Sequence, residues 1–352
     1  MTTQTMSRPA PGQPWKTRDP KFTAQQLFVH LGTPMLAGLI TVISPMSGYS
    51  GFYVVWLPLH IFTAYLLGKF GYQKKSFANS TLEVLLGAAM VVFATFVVSV
   101  MWPVVANGVA AFSPNLLVQD AASTDVDAVL SIGGLGHAIL GTVIIVALAT
   151  LISVPIGILA ALYVTEVRGR LTPLVRFFVQ AMSGVPSIVA GLFVYAALIV
   201  GGVIEFSGFA GAIAYSILML PTVARTAEEI LRLVPDDLRT AALALGGTQW
   251  RVVRMVVLPA ARSGLITSAI LGVARVAGET APLLLTAFGN TAFNVNPFSD
   301  SMSALPLYVF TQMLLGGDND VARAWFACLI LMVIVAATFT TARIIANKIK
   351  SS

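Results

Sequence analysis

The chain reads as an all-α protein, a polytopic transmembrane helical bundle, and three observations predict this. Of 352 residues, 57% are hydrophobic and only 10% charged, far from the balance of soluble domains. Mean hydropathy is +0.86. Apolar stretches of the length needed to cross a bilayer, about 20 residues at 1.5 Å each, recur along the chain. The basic residues, finally, gather in alternate connections between those stretches. The single cysteine, Cys328, lies in an apolar run, so a disulfide framework and a cysteine metal cluster are both excluded.

The first 26 residues are polar, proline-rich and basic, with no apolar region ahead of a cleavage site; they are expected to form an uncleaved, disordered cytoplasmic tail. A hairpin is expected over 27–80, in which Phe28–Pro45 and Phe52–Leu67 are short and interrupted by Pro34 and Pro58. Two tilted spans or a re-entrant pair both fit. The core is expected over 81–347, with spans at Leu82–Val105, His137–Val164, Phe178–Ile204, Ser207–Ala224, Ser263–Leu285 and Ala324–Ala342, followed by a short cytoplasmic tail at 348–352.

Lysine and arginine stay cytoplasmic in short loops. With the spans drawn as above, all 21 basic residues except Arg275 and Arg323 fall on one side, and both termini are cytoplasmic. The opposite loops carry Asp120, Asp125, Asp127, Glu205, Asp300, Asp318 and Asp320. A pI near 9.6 therefore needs no nucleic acid to explain it.

The longest basic connection, about 225–262, reads RTAEEILRLVPDDLRTAALALGGTQWRVVRMVVLPAA from Arg225. Leu231, Val234, Leu238, Ala242 and Leu245 recur at helical spacing. Pro235 suits a first turn, and Asp236 and Asp237 complement the helix dipole. Gly246 and Gly247 stop that helix, since glycine takes the left-handed conformation without a Cβ penalty. Thr248 is a suitable N-cap for a helix over Gln249–Leu258 that Pro259 ends. An amphipathic interfacial loop with a solvated charged face is the plain reading of this pattern.

The spacing resembles the EAA loop of ABC importer permeases: Glu-Ala-Ala, three residues, Gly, nine residues, an aliphatic residue, one residue, Leu-Pro. Ala241, Ala242, Gly246, Val256, Leu258 and Pro259 stand at the matching places, and Thr240 replaces the glutamate. With SGVPSIVAGLF (183–193), LPTVARTAEEILRLVP (220–235) and ARVAGETAPLL (274–284), the chain resembles the PstA-type permeases of phosphate-specific ABC importers over roughly 80–347. The resemblance implies a six-span permease core, with the N-terminal pair of short apolar helices added to it. It further implies half of a pathway for inorganic phosphate, a homologous PstC-type permease, a PstB-type ATPase dimer docked on the EAA loops, and a PstS-type phosphate-binding protein, all at the bacterial cytoplasmic membrane and its lipid. No cofactor, metal or catalytic residue is expected in this chain, which also lacks a phosphate loop for ATP.

Arg275 and Glu279, four apart, would share a helix face. Counted from Ser263, Arg275 would lie about 18 Å along the helix, near the bilayer centre. An arginine there costs about 2.5–3.5 kcal/mol, and intramembrane charge marks function by default. A self-neutralising pair that fixes helix packing is the competing reading. In the functional one, the planar guanidinium fork of Arg275 meets phosphate oxygens and Glu279 holds it in place. Arg225 and Glu228, three apart at a helix end, read on sequence as a solvated pair; the resemblance implies a role for them at the phosphate exit.

Gly184 and Pro186 suit either a gate kink or close packing of small residues. His30, His60 and His137 sit at span boundaries with no metal spacing. SALPLYVFTQMLL, within the outward loop from Phe288 to Ala322, is apolar enough to lie against the membrane or re-enter it, and Asp300, Asp318 and Asp320 mark that loop as a docking candidate. A permease for sulfate or molybdate is the closest alternative. A secondary symporter would carry repeats or broken helices in corresponding halves, and a membrane enzyme would need a catalytic constellation.

Overall fold

A computed structural model describes residues 28–43, 48–70 and 77–351; the expected tail over 1–26 lies outside them. Backbone groups in lipid find no water, so a spanning chain pairs them within helices. The elements are α1 (Thr33–Ile43), α2 (Tyr49–Phe70), α3 (Phe77–Ala110), α4 (Gly136–Leu162), α5 (Thr172–Ser183), α6 (Ser187–Val194) and α7 (Gly208–Arg232). They continue with α8 (Asp236–Ala244), α9 (Gln249–Val252), α10 (Leu258–Val276), α11 (Ala281–Leu284), α12 (Leu305–Leu315) and α13 (Asp318–Ser351). Among the described residues five helices are long and apolar enough to cross a membrane, or six if a bent pair counts as one.

Contacts divide the chain into two units, one up to Met101 and one from Trp102. In the first, α1 and α2 pack around Ala37 and the fully buried Trp56, flanked by Phe52 and Tyr53. Thr33 Oγ1 and His60 Nδ1 lie 2.7 Å apart. At 11 residues α1 is too short to cross a bilayer unaided.

The second unit is built around α7, which packs on α4 and α10. Its core joins Ile145 and Ala149 of α4, Tyr215, Leu218 and Val223 of α7, Val276 of α10, Leu283 of α11 and Met302. Small residues let the backbones approach. Gly157 on α4 and Gly272 on α10 flank Val223, whose methyls would lie 2.9 and 2.6 Å from a Cβ at those positions. Arg323, an exception to the charge pattern, is 1% exposed beside Asp320 at 3.3 Å. It donates to Val129 O and Ile132 O, so the pair ties the start of α13 to the loop before α4.

Three expected elements are corrected. The stretch Phe178–Ile204 is not one straight helix: α5 and the helix from Ser187 to Ile199 meet at a bend of 107°, as a broken span or a re-entrant loop would. Pro186 stands as the N-cap of α6, and a Cβ on Gly184 would meet only Ala181 O at 3.6 Å, which favours the kink over close packing. The stretch Ser263–Leu285 is interrupted after α10 ends at Val276. Pro259 does not end a helix but opens α10. It follows a π turn, Val253–Val257, and a proline in a first turn has no N–H to leave unsatisfied. The apolar SALPLYVFTQMLL segment divides: α12 buries Leu305, Pro306, Leu307 and Tyr308 in its first half, where Leu305 N donates to Thr142 Oγ1 at 2.7 Å, and exposes Phe310, Met313, Leu314 and Leu315 in its second.

Gly191 on α6 faces α11, where its Cβ would lie 2.6 Å from Pro282 Cα. Gly191→Ala is expected to cost about 1–3 kcal/mol through overpacking, and Gly184→Ala less than about 0.5 kcal/mol. Thermal unfolding of the detergent-solubilised protein compares them; equal losses would contradict the kink assignment.

Candidate functional site

The first site lies where α10 gives way to α11. Gly278 and Pro282 end the helix, because proline lacks an N–H and its ring clashes with the carbonyl four residues back. Val276 is the last helical residue, Ala277 N still donates to Val273 O at 2.9 Å, and Glu279 N turns back to Val276 O at 3.1 Å. Arg275 and Glu279 therefore do not share one helix. The Arg275 side chain is exposed on this chain and Glu279 half-buried. No ion pair joins them among the described residues. What holds the turn is Tyr215, 1% exposed, whose hydroxyl donates to Glu279 O at 2.5 Å. Arg275 is thus presented, exposed on its own chain, at a helix end braced from α7.

The second site is the arginine-rich end of α7. Glu228 is not paired with Arg225. Its Oε1 accepts from Arg176 Nε at 3.2 Å and Nη2 at 3.1 Å, and from Arg232 one turn on. Arg176 comes from α5, 52 residues away. A cavity of about 260 Å3 is lined by Arg176, Arg225, Glu228 and Arg232. It shares Arg176 and Arg232 with a cavity of about 410 Å3 that also meets Arg168, Asp236 and Arg239. Arg232 stands at the local four-residue spacing from Glu228, whereas Arg176 was marked by no local spacing, since it reaches α7 from α5.

The third element is the connection from α7 to α10. Pro235 is the N-cap of α8, with Asp236 and Asp237 in its first turn. Gly246 takes φ +82°, and Thr248 caps α9 by accepting from Arg251 N at 3.4 Å. The expected stripe divides at Pro235. Leu231 and Val234 are buried with Val252, Val253 and Val257, whereas Leu238 is 45% and Leu245 90% exposed. Thr240 Oγ1 donates to Asp236 O at 2.9 Å within its own helix. Thr240 and Ala241 are exposed, Ala242 half-buried, and Val256 and Leu258 pack partly on the buried cluster. Leu243, Leu245, Trp250 and Met255 are exposed apolar side chains of this connection, the last three 90%, 66% and 72% exposed.

A residue absent from the sequence reading anchors this connection. Glu166 lies in the π turn Tyr163–Val167 that follows α4, and its carboxylate takes both Nε and Nη2 of Arg239, at 3.2 and 2.8 Å. The pair is 7% and 15% exposed. The bond to Glu166 raises the Arg239 pKa above its usual value, with the nearby charges of Glu166 and Asp236 adding to it and partial burial opposing it. Of the acidic residues noted for docking, Asp300 and Asp318 are exposed, but Asp320 is buried with Arg323 and offers no docking surface.

Tyr215→Phe removes the brace on Glu279 O and leaves a buried carbonyl unpaired. A loss of about 1 kcal/mol is expected, read as a lower melting temperature in detergent. An unchanged melting temperature would show that the turn holds without the hydroxyl.

Residues 153–351 match the family described as "Binding-protein-dependent transport system inner membrane component". The chain is 40% identical over 205 residues to the phosphate transport system permease protein PstA 1 of Mycobacterium tuberculosis, covering 58% of this chain and 67% of that one. It is 38% identical over 245 residues to the PstA of Haemophilus influenzae, covering 68% and 84%. With the PstA of Pasteurella multocida the identity is 41% over 213 residues, covering 59% and 75%. With its apolar crossing helices and its exposed, glycine-cornered connection, the chain belongs to the inner membrane components of binding-protein-dependent transport systems, as a multi-pass permease subunit of the PstA type.

Proposed function

We propose that this chain forms half of the inorganic phosphate pathway of an ATP-driven importer, with Arg275 contacting the ion in transit. The exposed guanidinium of Arg275, at the end of an apolar crossing helix, carries the reading. Lipid exposure of an arginine is costly, and no carboxylate of its own chain pairs with it among the described residues. A water-filled path shared with a second permease satisfies that charge, and a phosphate dianion is matched by the guanidinium fork. The names of the relatives supply the substrate class.

The companion permease is of the PstC type and the binding protein of the PstS type. Glu279 lies four residues along and keeps the local charge from holding phosphate too tightly. Arg225 stands with Arg176, Arg232 and Glu228 around the exit cavity. Both termini and the arginine-rich connections face the cytoplasm, following the positive-inside rule. A PstB-type ATPase dimer hydrolyses ATP and docks on the exposed apolar side chains of Leu243, Leu245, Trp250 and Met255, since exposed apolar patches mark interaction sites. Thr240, Ala241, Ala242, Gly246, Val256, Leu258 and Pro259 give the connection its shape.

Arg275→Gln is expected to abolish ATP-dependent uptake of labelled phosphate in proteoliposomes at matched assembly, and Arg225→Gln to impair it. Normal uptake in the Arg275 variant would refute the site, and labelled sulfate taken up as well as phosphate would refute the substrate. Gly246→Pro forbids φ +82° and should leave ATP hydrolysis running without uptake; coupled transport in that variant would argue against the connection's role.

A further inference from the structure

We propose that Glu166 is the positioning residue through which the coupling connection acts on the membrane helices. Both halves of the connection end on this one residue. From α8, Arg239 donates Nε and Nη2 to the two carboxylate oxygens, at 3.2 and 2.8 Å. From the start of α9, Gln249 Nε2 donates to the Glu166 main-chain oxygen at 2.5 Å. Side chain and backbone of a single residue at the end of α4 thus receive the segments on either side of the Gly246 corner.

The remaining donors of Arg239 bind the other side of the joint. Nη2 also reaches Leu231 O at 2.8 Å, and Nη1 reaches Val234 O at 2.5 Å and Asp236 Oδ1 at 3.0 Å. Every nitrogen of the guanidinium is engaged, and its planar fork resists rotation in a way that a single lysine contact would not. The carbonyls it holds are those at the end of α7 and just past it. A displacement of α8 therefore moves Arg239, and with it the ends of α4 and α7, which pack along each other.

The geometry suits a rigid transmitter. The Glu166 side chain is 7% exposed and that of Arg239 15%, so water screens the pair little and breaking one partner leaves a partly buried charge. Thr240, at the glutamate position of the loop pattern, turns its hydroxyl back on Asp236 O of its own helix. The carboxylate that fastens α8 comes instead from the membrane helix, 73 residues earlier in the chain. This proposal rests on the reading of the connection as the ATPase coupling element.

The test uses the assembled complex in proteoliposomes and reads phosphate imported per ATP hydrolysed, with ATPase retention as the assembly control. Glu166→Gln and Arg239→Gln are each expected to lower that ratio about tenfold while the ATPase stays bound, as expected for a broken buried pair. The double variant should be no worse than the poorer single, because two residues forming one link do not add. Glu166→Asp should recover part of the ratio, which a role in folding alone does not predict. A wild-type ratio in Glu166→Gln, or additive losses in the double variant, would overturn the proposal. Should Glu166→Gln fail to assemble, Gln249→Ala removes one neutral bond only and must still lower the ratio; a silent Gln249→Ala then overturns it. If Gly246→Pro is uncoupled while Glu166→Gln is not, Glu166 is refuted and the coupling connection stands. If Gly246→Pro is itself fully coupled, the underlying reading fails.

Discussion

The demand that every polar group within a bilayer find a partner inside the protein shapes each irregular feature of this chain. Where a helix is interrupted, a specific donor or acceptor takes over. The turn after α10 is closed by Glu279 N on Val276 O and braced by the Tyr215 hydroxyl. The start of α12 is met by Thr142 Oγ1, which itself donates to Ala138 O. Serine and threonine hydroxyls elsewhere return to carbonyls of their own helix, as with Ser216 on Ala212 O and Thr150 on Val146 O.

The same demand governs charge. Arg323 is tolerated in the interior because Asp320 meets its Nη1 and two loop carbonyls meet its Nη2, although its buried Nε finds no partner among the described residues. Arg275 has no such ion-pair partner among the described residues. The contrast separates the two basic residues that depart from the charge pattern: one is paid for by its own chain, the other is left to face whatever lies beside the subunit. At the other end of the bundle, arginines converge from α5, α7 and α8 on two carboxylates, Glu228 and Glu166. There the first is partly open to a cavity and the second is closed over. An open cluster suits an ion in passage, and a closed one suits mechanical connection.

Small residues set how closely the helices communicate. Gly157 and Gly272 admit Val223 between α4 and α10, Gly264 admits Ile230, and Gly191 admits the backbone at Pro282. Without a hydrophobic drive between helices in lipid, such contacts supply the packing energy. They also make α7 the member against which α4, α10 and α11 are all referenced, so the Arg275 turn and the Arg225 cavity are held by one helix.

By itself the sequence determined what depends on composition and on near neighbours. Hydropathy and basic loops specify a membrane-crossing helical chain, and the Gly246 corner and Thr248 cap follow from φ and hydrogen bonds within a few residues. The break after Val276 was also locally marked, by Gly278 and Pro282, but an apolar run averaged over a span's length conceals it. Tertiary structure alone decided the pairings. Glu228 chose Arg176 over Arg225, Arg239 chose Glu166, and Leu245 was left exposed while Leu231 was buried. The reason is physical: helical spacing tells which residues share a face, but not which distant helix will bring a charge or a core to that face.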